Sequence, residues 1–209
     1  MLLLAFDTAT AMVSVALHDG ERVLAQRTGG GATRHAEVLA PAVAGALAEA
    51  GASAGDLSAI AVGVGPGPYT GLRVGVMLAR TLGSALGVPV HGVCTLDVLA
   101  AEGDEPGPFL VATDARRREV YWASYADPRT RVAGPQVGKP AEVATEQPVV
   151  GRGAVLYPEA FPHSRGPLDP SAGVLARAVL DRSVVVLPPD PLYLRRPDVA
   201  EPGARKPVR

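Results

Sequence analysis

The 209-residue sequence is poor in cysteine, in aromatic residues and in net charge. Its only cysteine is Cys94, which excludes an internal disulfide and a metal cage built from cysteines. Aromatic residues make up 4% of the chain and the formal net charge is −1. This composition argues against a strongly basic face that binds nucleic acid unaided, and against aromatic stacking platforms for single-stranded RNA.

Long hydrophobic runs are also missing, and no uninterrupted apolar segment reaches the length of a membrane span. The apolar run at the start of the sequence is short, has no basic residue before it and stops at Asp7. It predicts a buried first strand rather than a signal peptide. We therefore expect a cytoplasmic protein that does not contact a membrane.

Proline is unevenly distributed, with four of the 20 prolines before residue 103 and sixteen after it. The segment 102–108 combines glycine, proline and acidic residues, as linkers do. We therefore predict an N-terminal domain of residues 1–102 and a C-terminal domain of residues 103–209.

The two halves begin with the same pattern: an apolar strand that ends in an aspartate, a short loop, a second strand, a turn and a third strand. The predicted strands are 2–7, 12–17 and 22–27 in the first half, and 109–114, 120–125 and 131–137 in the second. Asp7 and Asp114 end the first strand of each set, and Val13 and Val120 come after them at the same distance. A chance likeness of two hairpins is one explanation of this pattern.

The other explanation is a duplication of the actin/hexokinase-like (ASKHA) kind, an α/β fold in which two similar domains face each other. In that fold acidic turns from both domains line a nucleotide cleft. The second half looks reduced, because its only clear helix pattern covers residues 171–182.

A glycine-rich segment, 63–75, joins a strand predicted at 59–64 to a helix predicted at 70–86. This layout presents helix N-terminal amides to an anion in many α/β proteins. The segment has no lysine, which excludes a Walker loop, and its glycine spacing does not match the dinucleotide fingerprint. A phosphate-binding loop and a purely structural corner both remain open.

Two helices of the first half have informative faces. The pattern over 35–50 is amphipathic, with Leu39, Val43 and Leu47 at a spacing of four. The helix from Thr70 has small residues at every fourth position: Gly71, Gly75, Ala79, Gly83 and Gly87. Each interior glycine costs about 1 kcal/mol relative to alanine, so close packing has to compensate. Either the chain's own elements or a partner's helix can supply that packing.

Four segments together resemble the TsaB (YeaZ) family over almost the full length of the chain. They are AFDTAT with SVAL (residues 5–10 and 14–17), GPGPYTGLRVG (65–75), DAR with EVYWA (114–116 and 119–123), and PLYLR (191–195). Pro68 and Tyr69 depart from the serine and phenylalanine that the family more often has. The departure removes a hydroxyl group that would be available to a ligand.

The resemblance implies a non-catalytic, actin-fold subunit that pairs with TsaD while TsaD transfers the threonylcarbamoyl group to tRNA. It further implies that TsaE binds the pair, that TsaC makes the threonylcarbamoyl-adenylate, that tRNA is contacted indirectly, and that the chain forms a homodimer when alone. We expect the partner interface on the two helices of the first half. Its predicted residues are Leu39, Val43, Leu47, Leu72, Gly75, Val76 and Ala79.

No catalytic residue, metal site or cofactor of its own is expected for the chain. Thr95 and Leu99 stand where TsaD carries its metal-binding histidine pair, and neither side chain replaces an imidazole. ATP and magnesium are expected only through the assembled complex. The remaining histidines do not rebuild a metal site.

The paired acids leave two interpretations open. Asp7 and Asp114 belong either to a vestigial nucleotide cleft or to hairpins whose turn amides they bind. The vestigial cleft has six predicted residues: Asp7, Thr8, Thr10, Gly65, Gly67 and Asp114. Two groups of basic residues either meet tRNA phosphates or are solvated: Arg116, Arg117 and Arg118, and, near the end of the chain, Arg195, Arg196, Arg205, Lys206 and Arg209.

Two other functions compete with the scaffold. An independent actin-fold ATPase or small-molecule kinase predicts magnesium-dependent ATP binding by the isolated chain. A peptidase predicts cleavage that a chelator stops, but no serine lies on a nucleophile elbow and the histidine pair is missing.

Overall fold

Strands and helices alternate along the chain in a computed structural model that describes residues 1–30 and 34–195. The strands are β1 (Leu3–Asp7), β2 (Met12–His18), β3 (Val23–Gly30), β4 (Ala59–Gly63), β5 (Val90–Val93), β6 (Phe109–Asp114), β7 (Val120–Asp127), β8 (Thr130–Gly138), β9 (Val149–Val150), β10 (Ser164–Arg165) and β11 (Val186–Leu187). The helices are α1 (His35–Glu49), α2 (Tyr69–Leu86), α3 (Thr95–Gly103), α4 (Arg152–Leu156) and α5 (Ala172–Leu180). The predicted strands and helices are confirmed to within a few residues, and the structure adds β5, β9, β10, β11, α3 and α4.

The strands form two sheets that share the same order over five strands, and the first sheet has β11 as an additional antiparallel edge strand. The first sheet runs β11-β5-β4-β1-β2-β3 and the second runs β10-β9-β6-β7-β8. In both, three antiparallel strands are continued by two strands parallel to the first of the three. The repeat read in the sequence is therefore a structural duplication, and the predicted actin-like fold is confirmed.

Helices cover both faces of the first sheet. Alternate residues of β1 point to opposite faces, as the period of a strand requires. Leu4 and Phe6 pack with α1 and α2, whereas Leu3 and Ala5 pack with α5. The second sheet is covered by α3 on one face and by the five-residue α4 on the other. The second half is thus reduced, as predicted, because a short helix stands where the first half has the 18-residue α2.

The predicted boundary at residue 102 needs correction. α5 and β11 lie after it, yet α5 packs against β1 and β2, and β11 pairs with β5. The amide of Ala172 also donates to Ser14 Oγ at 2.8 Å. Conversely, all but the last residue of α3 lie before the boundary, yet this helix packs on the second sheet. A boundary drawn from proline content follows the order of the chain. It therefore could not show that α3 and α5 each pack on the sheet of the other half.

Candidate functional site

Asp7 ends β1 and is completely buried. Its Oδ1 accepts a hydrogen bond from the Ala9 amide at 2.7 Å, and its Oδ2 accepts one from Thr95 Oγ1 at 2.8 Å. Burial raises the pKa of the Asp7 carboxyl, and these two hydrogen bonds oppose the rise. Since the Asp7 side chain has no exposed surface, a magnesium–nucleotide complex cannot reach it in this structure.

The small-residue face of α2 packs on the chain's own loop after β1. Thr8 Oγ1 donates to the Gly71 carbonyl at 2.8 Å and accepts from the Gly75 amide at 3.1 Å. A Cβ at Gly71 would lie 2.7 Å from the Thr8 carbonyl oxygen, and one at Gly75 would overlap Thr8 Oγ1. At Gly83 a Cβ would overlap Val90. Of the two explanations for these glycines, packing on the chain's own elements is therefore confirmed at all three positions.

Asp114 occupies the equivalent position in the second sheet. Its Oδ1 accepts from the Arg116 amide at 2.7 Å, and its Oδ2 pairs with the Arg116 guanidinium at 3.1 Å. Asp7 bonds the amide two residues on in the same way, so both acids bind turn amides, as one of the two interpretations requires. Unlike Asp7, the Asp114 side chain is 26% exposed.

The space between the two acid turns is narrow. A cleft of about 30 Å³ lies there, bounded by Thr10 and Asp114 and by the ion pair of Arg152 with Asp169. That volume holds little more than one water molecule. Asp7, Thr8 and Gly65 lie behind it in the interior, so the six residues predicted for a vestigial nucleotide cleft do not line one site.

A larger cavity of about 290 Å³ opens beside this cleft, between the start of α2 and the loop that joins β6 to β7. It is lined by arginines and tyrosines together with the glycine-rich loop: Gly67, Pro68, Tyr69, Ala115, Arg116, Arg117, Tyr121, Tyr193, Leu194 and Arg195. We call it the arginine–tyrosine cavity. Of its residues the sequence predicts Gly67 as a cleft residue and Arg116, Arg117 and Arg195 as phosphate candidates. The predicted phosphate contacts Arg196, Arg205, Lys206 and Arg209 lie outside the described residues.

A polar cluster that the sequence did not reveal joins α3 to the second sheet. Tyr125 donates to Asp97 Oδ1 at 2.8 Å, and Arg131 lies 3.3 Å from the same oxygen and 3.3 Å from Cys94 Sγ. Burial raises the pKa of Asp97, and it raises the pKa of Cys94 to about 12, so the thiol is unreactive. A Tyr, an Asp and an Arg at unrelated positions carry no local signal by which sequence could have paired them.

The predicted interface residues all lie inside this chain's own core. Leu72, Val76 and Ala79 have no exposed surface, Leu39 is 1% exposed, and Val43 and Leu47 are each 8% exposed, with Gly75 also buried. The prediction that these seven residues form a contact surface is corrected for a physical reason. A spacing of three and four marks the apolar face of a helix, and that face covers the chain's own sheet.

The exposed sides of the same two helices are formed by other residues. On α1 they are small and apolar, namely Ala36, Ala40, Pro41, Ala44 and Ala48, with Glu37 and Glu49 near the ends. On α2 the exposed side includes Tyr69, Arg73, Met77 and Arg80, and Met77 is 52% exposed.

The positions of the missing histidines have internal roles. Thr95 bonds Asp7 and also accepts from the Gly65 amide at 3.2 Å, while Leu99 is fully buried under the second sheet. Over residues 1–30 and 34–195 no cluster of three or more histidine, cysteine or acidic side chains has the arrangement of a metal site. None of the helices described in that part of the chain combines the length and hydropathy that crossing a membrane requires.

A family match and two related proteins place this fold in context. Residues 22–168 match the family described as TsaD: tRNA N6-adenosine threonylcarbamoyltransferase. The uncharacterized protein ML0378 of Mycobacterium leprae is 45% identical over 203 residues, which cover 94% of this chain and 55% of the relative. The tRNA threonylcarbamoyladenosine biosynthesis protein TsaB of Bacillus subtilis is 38% identical over 126 residues, covering 60% of this chain and 55% of that protein. The chain thus spans about half the length of these two relatives.

A solved structure overlaps with almost the whole chain. YeaZ from Pseudomonas aeruginosa is 32% identical, superposes with a TM-score of 0.77, and is matched over 92% of this chain and 99% of its own. The duplicated sheets, the glycine-rich corner and these likenesses lead to one conclusion: the chain belongs to the TsaB/YeaZ family.

Proposed function

We propose that the chain is a non-catalytic subunit in tRNA threonylcarbamoyladenosine biosynthesis, which pairs with TsaD and stabilises it in its active form. In this proposal TsaE binds the pair, the complex works in the cytoplasm, and any ATP or magnesium is held by the assembly. Family membership supports the pathway, because the related protein of Bacillus subtilis is named for it.

The burial of Asp7 and of the turn that follows it is the main observation in favour of a non-catalytic role. Actin-like enzymes need an acid facing an open cleft, whereas Asp7 is completely buried and the space between the two turns is about 30 Å³. The glycines of α2, which fit a phosphate loop in outline, are occupied by contacts to Thr8. The chain retains the fold of a nucleotide-binding enzyme and uses that site for packing.

The exposed apolar side of α1 supports a partner there. Ala36, Ala40, Ala44 and Ala48 repeat every fourth residue, so they form one stripe along the helix. α1 lies against α2, which adds the exposed Met77. Covering apolar surface is favourable in water, and small side chains let another helix approach closely. We therefore assign the TsaD contact to these outer residues, and the same surface closes a homodimer when TsaD is missing.

Co-purification tests the proposal. The chain is co-expressed with TsaD from the same organism and run on size exclusion at micromolar concentration, where we expect one stable complex. Ala44→Glu and Met77→Glu should weaken it, because each places a charge in the contact. Ala144→Glu is the matched control, since Ala144 lies in the second half, away from both helices.

Separate migration of the two wild-type proteins contradicts the proposal, as does a control that weakens the complex as much as Ala44→Glu. A charge at Leu39 or Val76 is unsuitable for this test, because both are buried and the variant would unfold. Calorimetry of the isolated chain with magnesium and ATP tests the competing enzyme, and saturable binding there would favour an independent ATPase or kinase.

A further inference from the structure

Three of the chain's five tyrosines and three of its arginines meet at the arginine–tyrosine cavity. The tyrosines come from distant parts of the chain: Tyr69 starts α2, Tyr121 is in β7 and Tyr193 comes after β11. A low aromatic content predicts no stacking platform, but that prediction holds only if the few aromatic residues are scattered. Here folding brings three of them to one cavity.

Two of the tyrosines, Tyr69 and Tyr193, lie at the mouth of the cavity and remain partly exposed. Tyr69 and Tyr193 stack with their centroids 5.2 Å apart, and they are 45% and 44% exposed. The Arg73 guanidinium lies 5.0 Å from the centre of the Tyr69 ring and extends the cationic surface beyond the mouth. Exposed rings next to guanidinium groups are the elements that bind unpaired bases together with their phosphates.

The arginines that line the cavity are held in place by neighbours. Arg116 pairs with Asp114, and Arg195 donates to the Ala115 carbonyl at 3.2 Å and pairs with Glu119. A guanidinium has five N–H donors, so these contacts orient it without exhausting it. Arg117 contributes a third guanidinium to the lining.

We propose that the arginine–tyrosine cavity binds an unpaired nucleotide of an RNA strand, with a base on the tyrosine rings and a phosphate against the arginines. The inference rests on the proposed function, which supplies RNA as the substrate of the complex, and deepens it by adding a direct contact from this chain. A free mononucleotide offers the same chemistry. The exposed tyrosines place the mouth of the cavity at the protein surface, where a strand can continue past the bound nucleotide, and this favours a strand.

Fluorescence anisotropy of the full chain tests the inference, with a labelled single-stranded RNA of about ten nucleotides as probe. AMP and an RNA duplex of the same sequence serve as comparisons. Tyr193→Leu should weaken single-strand binding by about fivefold or more, because one stacked base is lost. Arg117→Gln should also weaken it and should lower the dependence of log K on log salt by about one.

Arg22→Gln is the matched charge control. Arg22 lies in the turn between β2 and β3, its side chain is 80% exposed, and it should change affinity by about twofold or less. Thermal unfolding of all variants verifies that they are folded. The inference is overturned if Arg22→Gln and Arg117→Gln weaken binding equally, if the duplex binds as tightly as the single strand, or if only AMP binds.

TsaD co-purification of the same variants separates the two proposals. Absence of RNA binding by the wild-type chain together with an intact TsaD complex removes this inference alone. A failed TsaD complex with site-dependent RNA binding removes the proposed scaffold role alone.

Discussion

The two acid turns occupy the same position in a duplicated fold and have opposite environments. Asp7 is completely buried and bonds Thr95, whereas the Asp114 side chain is 26% exposed and pairs with Arg116. Both keep the bond to the amide two residues on. The comparison teaches that the turn is a structural feature of the duplication, while its surroundings decide whether a ligand can reach it.

The surroundings differ because the parallel strands β4 and β9 lead into different elements. After β4 the glycine-rich loop and the 18-residue α2 press close to the first turn. After β9 the five-residue α4 covers much less of the second turn. The first turn is therefore part of the core, and the second forms the rim of the arginine–tyrosine cavity.

Adding a side chain where the glycine-rich loop before α2 contacts the first turn should lower the free energy of unfolding most. A Cβ at Gly67 would overlap the Ala9 carbonyl, and backbone on both sides must move to make room. We expect Gly67→Ala to lower the free energy of unfolding by about 3 kcal/mol, measured by urea denaturation. Gly107→Ala is the control, since nothing lies within 4 Å of its Cβ position. Equal effects of the two substitutions would show that the first turn is not tightly packed.

Removing the buried acid should have the next largest effect. Asp7→Ala leaves the Ala9 amide and the Thr95 hydroxyl without their acceptor, at a cost of about 2 kcal/mol. The exposed Asp114→Ala should cost about 1 kcal/mol or less, because its pair with Arg116 is solvated. A larger loss at Asp114 than at Asp7 would reverse the comparison of the two turns.

Asp7 should also make stability depend on pH. Its pKa in the folded state is raised by burial, so between the ordinary value near 4 and the raised value the folded state binds more protons than the unfolded state. The free energy of unfolding therefore falls as pH rises through that window and levels off above it. Asp7→Asn should flatten the fall. Asp97 and Glu102 act in the same direction, so only the difference from wild type isolates Asp7.

Removing the hydrogen bond that joins α3 to the second sheet should lower the free energy of unfolding by a smaller amount. Tyr125→Phe removes the hydrogen bond to Asp97 and keeps the ring on Phe109, whose centroid is 5.3 Å away. We expect a loss of about 1 kcal/mol in urea denaturation. Tyr193→Phe, at an exposed position, should change stability little. If both are neutral, the Asp97 cluster does not stabilise the packing of α3 on the second sheet.

The smallest effect is expected in the loop that carries the arginines. Arg116, Arg117 and Arg118 all have positive φ, at 60°, 54° and 60°. This conformation costs a residue with a Cβ about 1–2 kcal/mol, part of which glycine gives back in entropy. Arg118→Gly should raise the free energy of unfolding, measured by urea denaturation, by about 0.5 kcal/mol. A decrease would mean that the Arg118 side chain makes a stabilising contact.

The duplication was predictable from sequence because each repeat is local. Strand, acid, loop and strand succeed one another within about 20 residues, and the period of a strand shows in its apolar residues. The faces of α1 and α2 that the sequence predicts as apolar are apolar. Sequence could not tell which surface covers them, since burial by the chain's own sheet and burial by a partner select the same residue types.

The candidate site was only partly predictable. Gly67 and the arginines stood out locally, but Tyr69, Tyr121 and Tyr193 come together only through the pairing of strands far apart in the chain. The ion pair of Arg152 with Asp169, which narrows the cleft, likewise joins two residues that no local pattern distinguishes. The residues of such a site are brought together by the order of the strands in the sheets, and their spacing in the sequence does not indicate it.

The return of α5 and β11 to the first sheet has a consequence for synthesis on the ribosome. The face of β1 and β2 that α5 covers stays open until residues 172–180 have emerged, roughly 150 residues after the strands that they protect. Contacts of such sequence separation form late and slow folding. The nascent first half therefore exposes one apolar face of its sheet during most of translation, and a fragment that ends at residue 102 should aggregate when expressed alone.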